Sequence, residues 1–174
     1  MKNASSHGRE QIFILAHDFR SENWRDDRAK MELTIPIFRA LIENDVDRKE
    51  HRYHSQLGYA LKDKPGPDFA QAEAQLTEAI EIRGPWQEKG WVFYEFVRAI
   101  CRIRQDDACI AGRASSPQVK EKIFADLYAG AQAKYSLGLM KKDPDIKKWM
   151  SLNGVTFEDF GQEDPQDDEG PLTA

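Results

Sequence analysis

The chain has 174 residues, 40% of them hydrophobic and 32% charged, with a formal net charge of −5. That length suits one compact domain or one short repeat array, and the polar balance suits thin helical layers better than a thick sandwich. Of the 30 acids, seven (Glu158, Asp159, Glu163, Asp164, Asp167, Asp168, Glu169) lie from Glu158 onward, where there is no Lys or Arg, leaving 23 acids against 25 bases in a body near +2. A roughly neutral body with an acidic tail argues against a nucleic-acid surface, which needs clustered bases. Cys101 and Cys109 are the only cysteines, too few for a disulfide framework. The apolar run near the N-terminus spans only five residues, Ile12 to Ala16, shorter than a secretory or membrane-spanning segment. The expectation is a soluble, cytoplasmic, reduced protein with no membrane contact.

Helical periodicity runs through nearly every segment. The first predicted helix covers about 8–20, with Ile12, Phe13, Leu15, Ala16 and Phe19 clustered on one side. The second covers about 23–44, with a stripe of Met31, Ile35, Phe38, Leu41 and Ile42. Pro36 lies inside it and predicts a kink or two short helices. Asp47 followed by Glu50 has the form of a capping box and predicts a third helix to about Lys62, with Tyr53, Leu57, Ala60 and Leu61 inward. "KDKPGPD" (62–68) breaks the chain, and Asp68 with Gln71 starts a fourth helix that Gly84 ends.

A fifth helix is predicted over 85–105, apolar nearly all round except for a stripe of Glu88, Glu95, Arg98, Arg102 and Gln105. A loop, "DDACIAGRASS", follows. Ser116-Pro117 opens a sixth helix that buries Val119, Ile123, Phe124, Leu127 and Ala131, and Asp143-Pro144 opens a last short one ended by Gly154. About seven helices result, all in one domain over 1–157. Residues 158–174 have the composition of a disordered acidic tail.

Residues 51–85 resemble a tetratricopeptide repeat. Leu57-Gly58 stand in the first helix of the unit, Ala72, Leu76 and Ala79 in the second, and Pro85 closes it. Gly58 and the alanines allow close approach of the two helices, and Leu76 fills the gap between them. A degenerate second unit covers 86–132, with Trp91 in the aromatic position but Glu95 where the motif has Gly; in the first unit His54 stands where the motif has Trp. The resemblance implies an all-α, right-handed stack of antiparallel helix pairs whose first helices line a concave groove. It also implies a non-enzymatic scaffold or adaptor that binds another protein or peptide, such as an effector enzyme, with no cofactor. Polar residues on those first helices are the candidate groove: Arg52, Tyr59 and Lys62 in one unit, and Glu95, Arg98 and Arg102 in the next. Arg98 and Arg102 are the expected anchors for a partner's carboxylate.

Other residues point less strongly to chemistry. "ILAHDFR" (14–20) resembles the His-Asp segment of HD-type metal-dependent phosphohydrolases, the alternative function. That chemistry needs a further His upstream and an Asp downstream, and only His7 lies upstream, so His17 and Asp18 read as an exposed helix end. His51 and His54, one turn apart, lack further ligands nearby in sequence and read as packed or solvated. Cys101 faces the core by periodicity. Cys109 follows Asp106 and Asp107, whose carboxylates are expected to raise its thiol pKa. A third reading is a structural subunit of a larger assembly.

Overall fold

A computed structural model of the chain describes residues 5–47 and 49–162, and within them the protein is all-α, with ten helices and no strand. The helices are α1 (Ser6–Asn23), α2 (Met31–Glu43), α3 (His51–Asp63), α4 (Phe69–Arg83), α5 (Trp86–Lys89), α6 (Phe93–Gln105), α7 (Asp107–Ile110), α8 (Pro117–Ala131), α9 (Lys134–Met140) and α10 (Pro144–Asn153). Short 3-10 turns at Arg28–Lys30 and Glu158–Phe160 complete the order. None of these helices is long and apolar enough to cross a membrane.

Each long helix packs on its predecessor and its successor, in the order α1, α2, α3, α4, α6, α8, α9. Alternate members also touch: α1 meets α3, α3 meets α6, and α6 meets α9. Two layers result. Helices α1, α3, α6 and α9 share one surface, and α2, α4 and α8 lie behind them. One apolar seam, from Phe13 and Phe38 through Leu57, Leu76 and Val97 to Leu127 and Trp149, runs along the stack.

Local chemistry explains most boundaries. Asp68 caps α4, accepting from the Gln71 backbone N–H at 3.0 Å, and Gly84 leaves the helix at φ +85°. The Ser116 hydroxyl caps α8, and Asp143 caps α10 by accepting from the backbone N–H groups of Asp145 and Ile146. Gly154 ends α10 at φ +59°. Four boundaries differ from the sequence expectation. First, α1 runs past residue 20 to Asn23, and α2 begins only at Met31, continuing through Pro36 as a single helix. Its buried face of Met31, Thr34, Phe38 and Leu41 outweighs the one backbone bond lost at Pro36. Second, the capping box at Asp47 does not form. The Asp45 carboxylate accepts from the Glu50 N–H at 2.9 Å, so α3 starts at His51.

Third, the expected helix over 85–105 is two helices. Gly90, in the left-handed region at φ +71°, ends α5 after one turn, and α6 restarts at Phe93. Fourth, α7 falls where a loop was expected, and α9 forms between the sixth and last expected helices, where no helix was predicted. The acidic region also splits. Residues Glu158–Phe160 form a turn whose Phe160 ring is buried against Phe124, at a centroid distance of 5.2 Å. The rest of the expected tail, 163–174, lies outside the described residues.

The α3–α4 contact has the close approach read from Leu57-Gly58. A Cβ placed on Gly58 would lie 2.9 Å from Leu76 Cγ and 3.2 Å from the Ala72 carbonyl oxygen. Ala72, Leu76 and Ala79 are all fully buried there. Gly58→Ala gains about 1 kcal/mol of helix propensity, but overpacking of this kind costs about 1–3 kcal/mol. Urea unfolding should therefore show a net loss of stability, whereas a gain would mean that α3 and α4 have room to separate.

Candidate functional site

The surface shared by α1, α3, α6 and α9 is hollowed. One hollow, of about 580 Å³, is lined by Phe13, His17, Arg20, His51, Arg52, Tyr59, Trp91, Phe93, Tyr94 and Tyr135 among others. A second, of about 540 Å³, is lined by Arg20, Trp24, Lys62, Phe93, Phe96, Ile100, Tyr135 and Leu139 among others. Arg20, Tyr59, Phe93 and Tyr135 line both, so the two form one groove with these side chains at its waist. Helical spacing explains how four elements supply it. Phe13, His17 and Arg20 share one side of α1; His51, Ser55, Tyr59 and Lys62 share one side of α3; Phe93, Phe96, Val97 and Ile100 share one side of α6; Tyr135 and Leu139 share one side of α9.

The walls are aromatic. Phe93 stands 5.6 Å from Tyr59 and 5.7 Å from Tyr135, and Trp91 stands 6.3 Å from Tyr94, all as ring-centroid distances in tilted or edge-on arrangements. Trp91 remains 55% exposed and Tyr135 71% exposed. Tyr59 is buried below them, and its hydroxyl has no hydrogen-bond partner. Burial pushes its pKa well above the ordinary phenol value, so the hydroxyl stays protonated. The Arg20 guanidinium lies 5.2 Å from the centre of the Tyr59 ring and donates to Gln56 Oε1 at 2.6 Å.

The six candidate groove residues divide between this face and the opposite one. Tyr59, Lys62 and Arg52 lie on the α3 side of the groove. Lys62 is hydrogen-bonded to Asp63, and Arg52 is held by Glu10 and Glu50 at 2.8–3.1 Å. Burial disfavours the Arg52 charge, but its bonds to Glu10 and Glu50 outweigh that and hold its pKa above the ordinary value.

Glu95, Arg98 and Arg102 do not face the groove. The α6 helix turns these three toward α4 and α8. Glu95 is buried and paired with Arg83, whose Nη1 stands 3.0 Å from Glu95 Oε2 and also donates to the Trp91 carbonyl. Arg98 forks onto Asp126 at 2.7 and 3.0 Å. Arg102 bonds Glu73 at 2.8 Å and Asp126 at 2.9 Å. Burial pushes the Asp126 carboxyl up, and the two arginines oppose it. These anchors tie the back layer to the front one. The sequence pattern put them on one helix stripe correctly but could not say which neighbour the stripe meets.

Of the remaining candidates, His17, Asp18 and His51 line the groove, whereas His54, Cys101 and Cys109 do not. His17 Nδ1 contacts Asp18 Oδ1 at 3.0 Å, and among the described residues no group of three His, Cys, Asp or Glu is arranged to hold a metal ion. His51 Nδ1 meets the Tyr94 hydroxyl at 2.7 Å, whereas His54 Nδ1 meets Gln75 Oε1 at 2.9 Å, so the two imidazoles bond to different helices. Cys101 is buried, its thiol pushed up to about 12 by burial. Cys109 is buried in α7, where burial comes first in raising its thiol pKa and Asp106 adds to it; this differs from the expected loop position and carboxylate cause. Arg20, Trp24, Phe93 and Tyr135 had no sequence signal. They are separated by up to 115 residues and become one surface only when α1, α6 and α9 assemble.

No protein-family model, curated protein or solved structure matches the chain.

Two measurements check this electrostatic layout. Glu95→Ala leaves the buried Arg83 guanidinium without its carboxylate and should cost about 3–5 kcal/mol in denaturant unfolding. Arg104→Ala, which removes a half-exposed pair with Asp145, should cost less than about 1 kcal/mol; equal losses would contradict the assigned burial. His51 titrates below its ordinary 6.5, chiefly because burial disfavours the imidazolium, with Arg52 and Arg83 adding to the effect and Glu50 opposing it. The unfolded chain therefore takes up a proton first, so stability falls as pH drops below 6.5. Melting profiles of His51→Gln should show a shallower acid loss than the parent; identical profiles would contradict the assignment.

Proposed function

We propose that the protein is a non-enzymatic interaction module of tetratricopeptide type, binding a segment of a partner protein along the α1/α3/α6/α9 face. The observation that carries this reading is the groove itself. Four helices contribute aromatic and aliphatic walls to one continuous hollow, and large aromatic side chains stay exposed at its rim. Exposed aromatic residues beside a concave apolar surface are what a peptide-binding face requires, because they supply contact area at low conformational cost. The Leu57-Gly58 packing against Ala72, Leu76 and Ala79 supports the repeat-like part of the reading for residues 51–85.

Under this reading Arg98 and Arg102 brace the groove from behind and do not contact the partner. Peptides selected for binding from a random display library should lose most of their affinity for the Trp91→Ala, Tyr135→Ala double variant. Both side chains are largely exposed, so the fold should survive, which circular dichroism checks. The same peptides should bind Arg104→Glu normally. Selected peptides that bind the double variant as well as the parent would sink the reading.

A further inference from the structure

We propose that the groove is specific for a partner segment in which one acidic side chain lies between two large apolar ones, with Arg20 as the anchor for the carboxylate. This rests on the proposed reading of the face as a protein-binding groove, and it assigns the chemistry of the occupant. The waist where the two hollows meet is formed by Arg20, Tyr59, Phe93 and Tyr135, so Arg20 is the one charged side chain that lines both hollows, and each hollow also has rings or aliphatic chains in its wall. At that waist Arg20 carries a charge that the protein does not match. Among the described residues no carboxylate lies within ion-pair distance of it. Its hydrogen bonds go to the neutral oxygens of Gln56 and Ser21. Asp63, whose field reaches it, is engaged by Lys62.

The other arginines packed at helix contacts, Arg52, Arg83, Arg98 and Arg102, each meet at least one carboxylate. Burial lowers the Arg20 pKa from its ordinary value, as expected of a cation moved out of water without a counter-ion. A guanidinium in that position gains most from an incoming carboxylate, which accepts two parallel bonds.

Two further observations point the same way. The Tyr59 hydroxyl beneath Arg20 is fully buried with no hydrogen-bond partner, so the waist holds unused bonding capacity on two side chains. The charge around the hollow next to α9 is also unbalanced. Arg20, Arg25, Lys62 and Lys142 line it, against Asp63 and Asp143, and Asp143 is committed to capping α10. An acidic occupant is complementary to that excess, and a basic one is not. To each side, Phe96, Ile100 and Leu139 in one hollow and Phe13 and Trp91 in the other supply apolar wall that suits apolar side chains.

The test uses fluorescein-labelled, end-blocked peptides with one Glu flanked by a Phe and a Leu, one or two positions to either side. Each has a matched version with Gln for Glu, and all are titrated against the full chain by fluorescence anisotropy. A charge-assisted fork predicts that at least one Glu peptide binds about tenfold or more tighter than its Gln match. Arg20→Met should erase that preference, bringing each Glu peptide to about the affinity of its Gln match, and Arg20→Lys should keep part of it. Tyr59→Phe should raise the melting temperature of the free protein yet weaken the Glu peptide, a combination that a purely structural tyrosine would not give.

Equal affinity for Glu and Gln peptides, a preference that survives Arg20→Met in a folded variant, or no binding at all would each overturn the proposal. Equal affinity that is still lost in the Trp91→Ala, Tyr135→Ala variant would leave the groove reading standing and remove only this one. Two other occupants are distinguishable. If neutralising Asp167, Asp168 and Glu169 with their amides tightens peptide binding tenfold, the chain's own acidic tail occupies the site. If sedimentation shows a dimer that Arg20→Met splits, a second copy does. Either result overturns the assignment to a separate partner.

Discussion

The geometry of the groove depends on one buried ion pair. Arg83, the last residue of α4, and Glu95, in the first turn of α6, have side chains only 3% and 5% exposed. Two helices meet there after an interruption: α5 ends at Gly90, and the chain must restart in a fixed place. Arg83 also donates to the Trp91 carbonyl, and its guanidinium lies 5.6 Å from the centre of the Tyr94 ring. One side chain thus sets the position of the segment that supplies Trp91, Phe93 and Tyr94 to the groove. Buried pairs add little net stability compared with apolar substitutes, but an unmatched partner is costly. Their effect here is to exclude other positions for the start of α6, since any other placement would strand a charge.

The same logic orders the back layer. Asp126 on α8 takes Arg98 and Arg102 from α6, and Arg102 reaches Glu73 on α4. Three helices are thereby tied at a contact where the apolar residues alone would allow sliding. Among the described residues, the front layer has no comparable network around Arg20. The two faces of α6 therefore differ: one is closed by ion pairs, and the other is open and aromatic, with Arg20 at its waist.

Much of the fold was legible in the sequence because it rests on short-range rules. Caps at Asp68, Ser116 and Asp143 and the stops at Gly84 and Gly154 depend on residues within four positions of each other. Leu57-Gly58 against Ala72, Leu76 and Ala79 could be read because both helices lie within one short unit. The errors came where distant contacts decide. Pro36 sits in an unbroken helix because the buried face of α2 holds it. Glu95 looks like a surface residue until Arg83 arrives from another helix. The site was least legible: periodicity places Arg98 and Arg102 on one stripe, and only the three-dimensional packing shows that the stripe faces α4 and α8. Arg20 belongs to an ordinary helix end in sequence, and only the packing shows that no carboxylate among the described residues lies within ion-pair distance of it.

The central claim is that partners bind the α1/α3/α6/α9 face and not the α4/α8 side. Backbone amide chemical-shift mapping during titration with a selected peptide tests it most directly. The account predicts perturbations concentrated at Arg20, Tyr59, Phe93 and Tyr135 and their neighbours, with Glu73, Arg102 and Asp126 unmoved. Perturbations centred on Glu73, Arg102 and Asp126, with the aromatic groove silent, would contradict it.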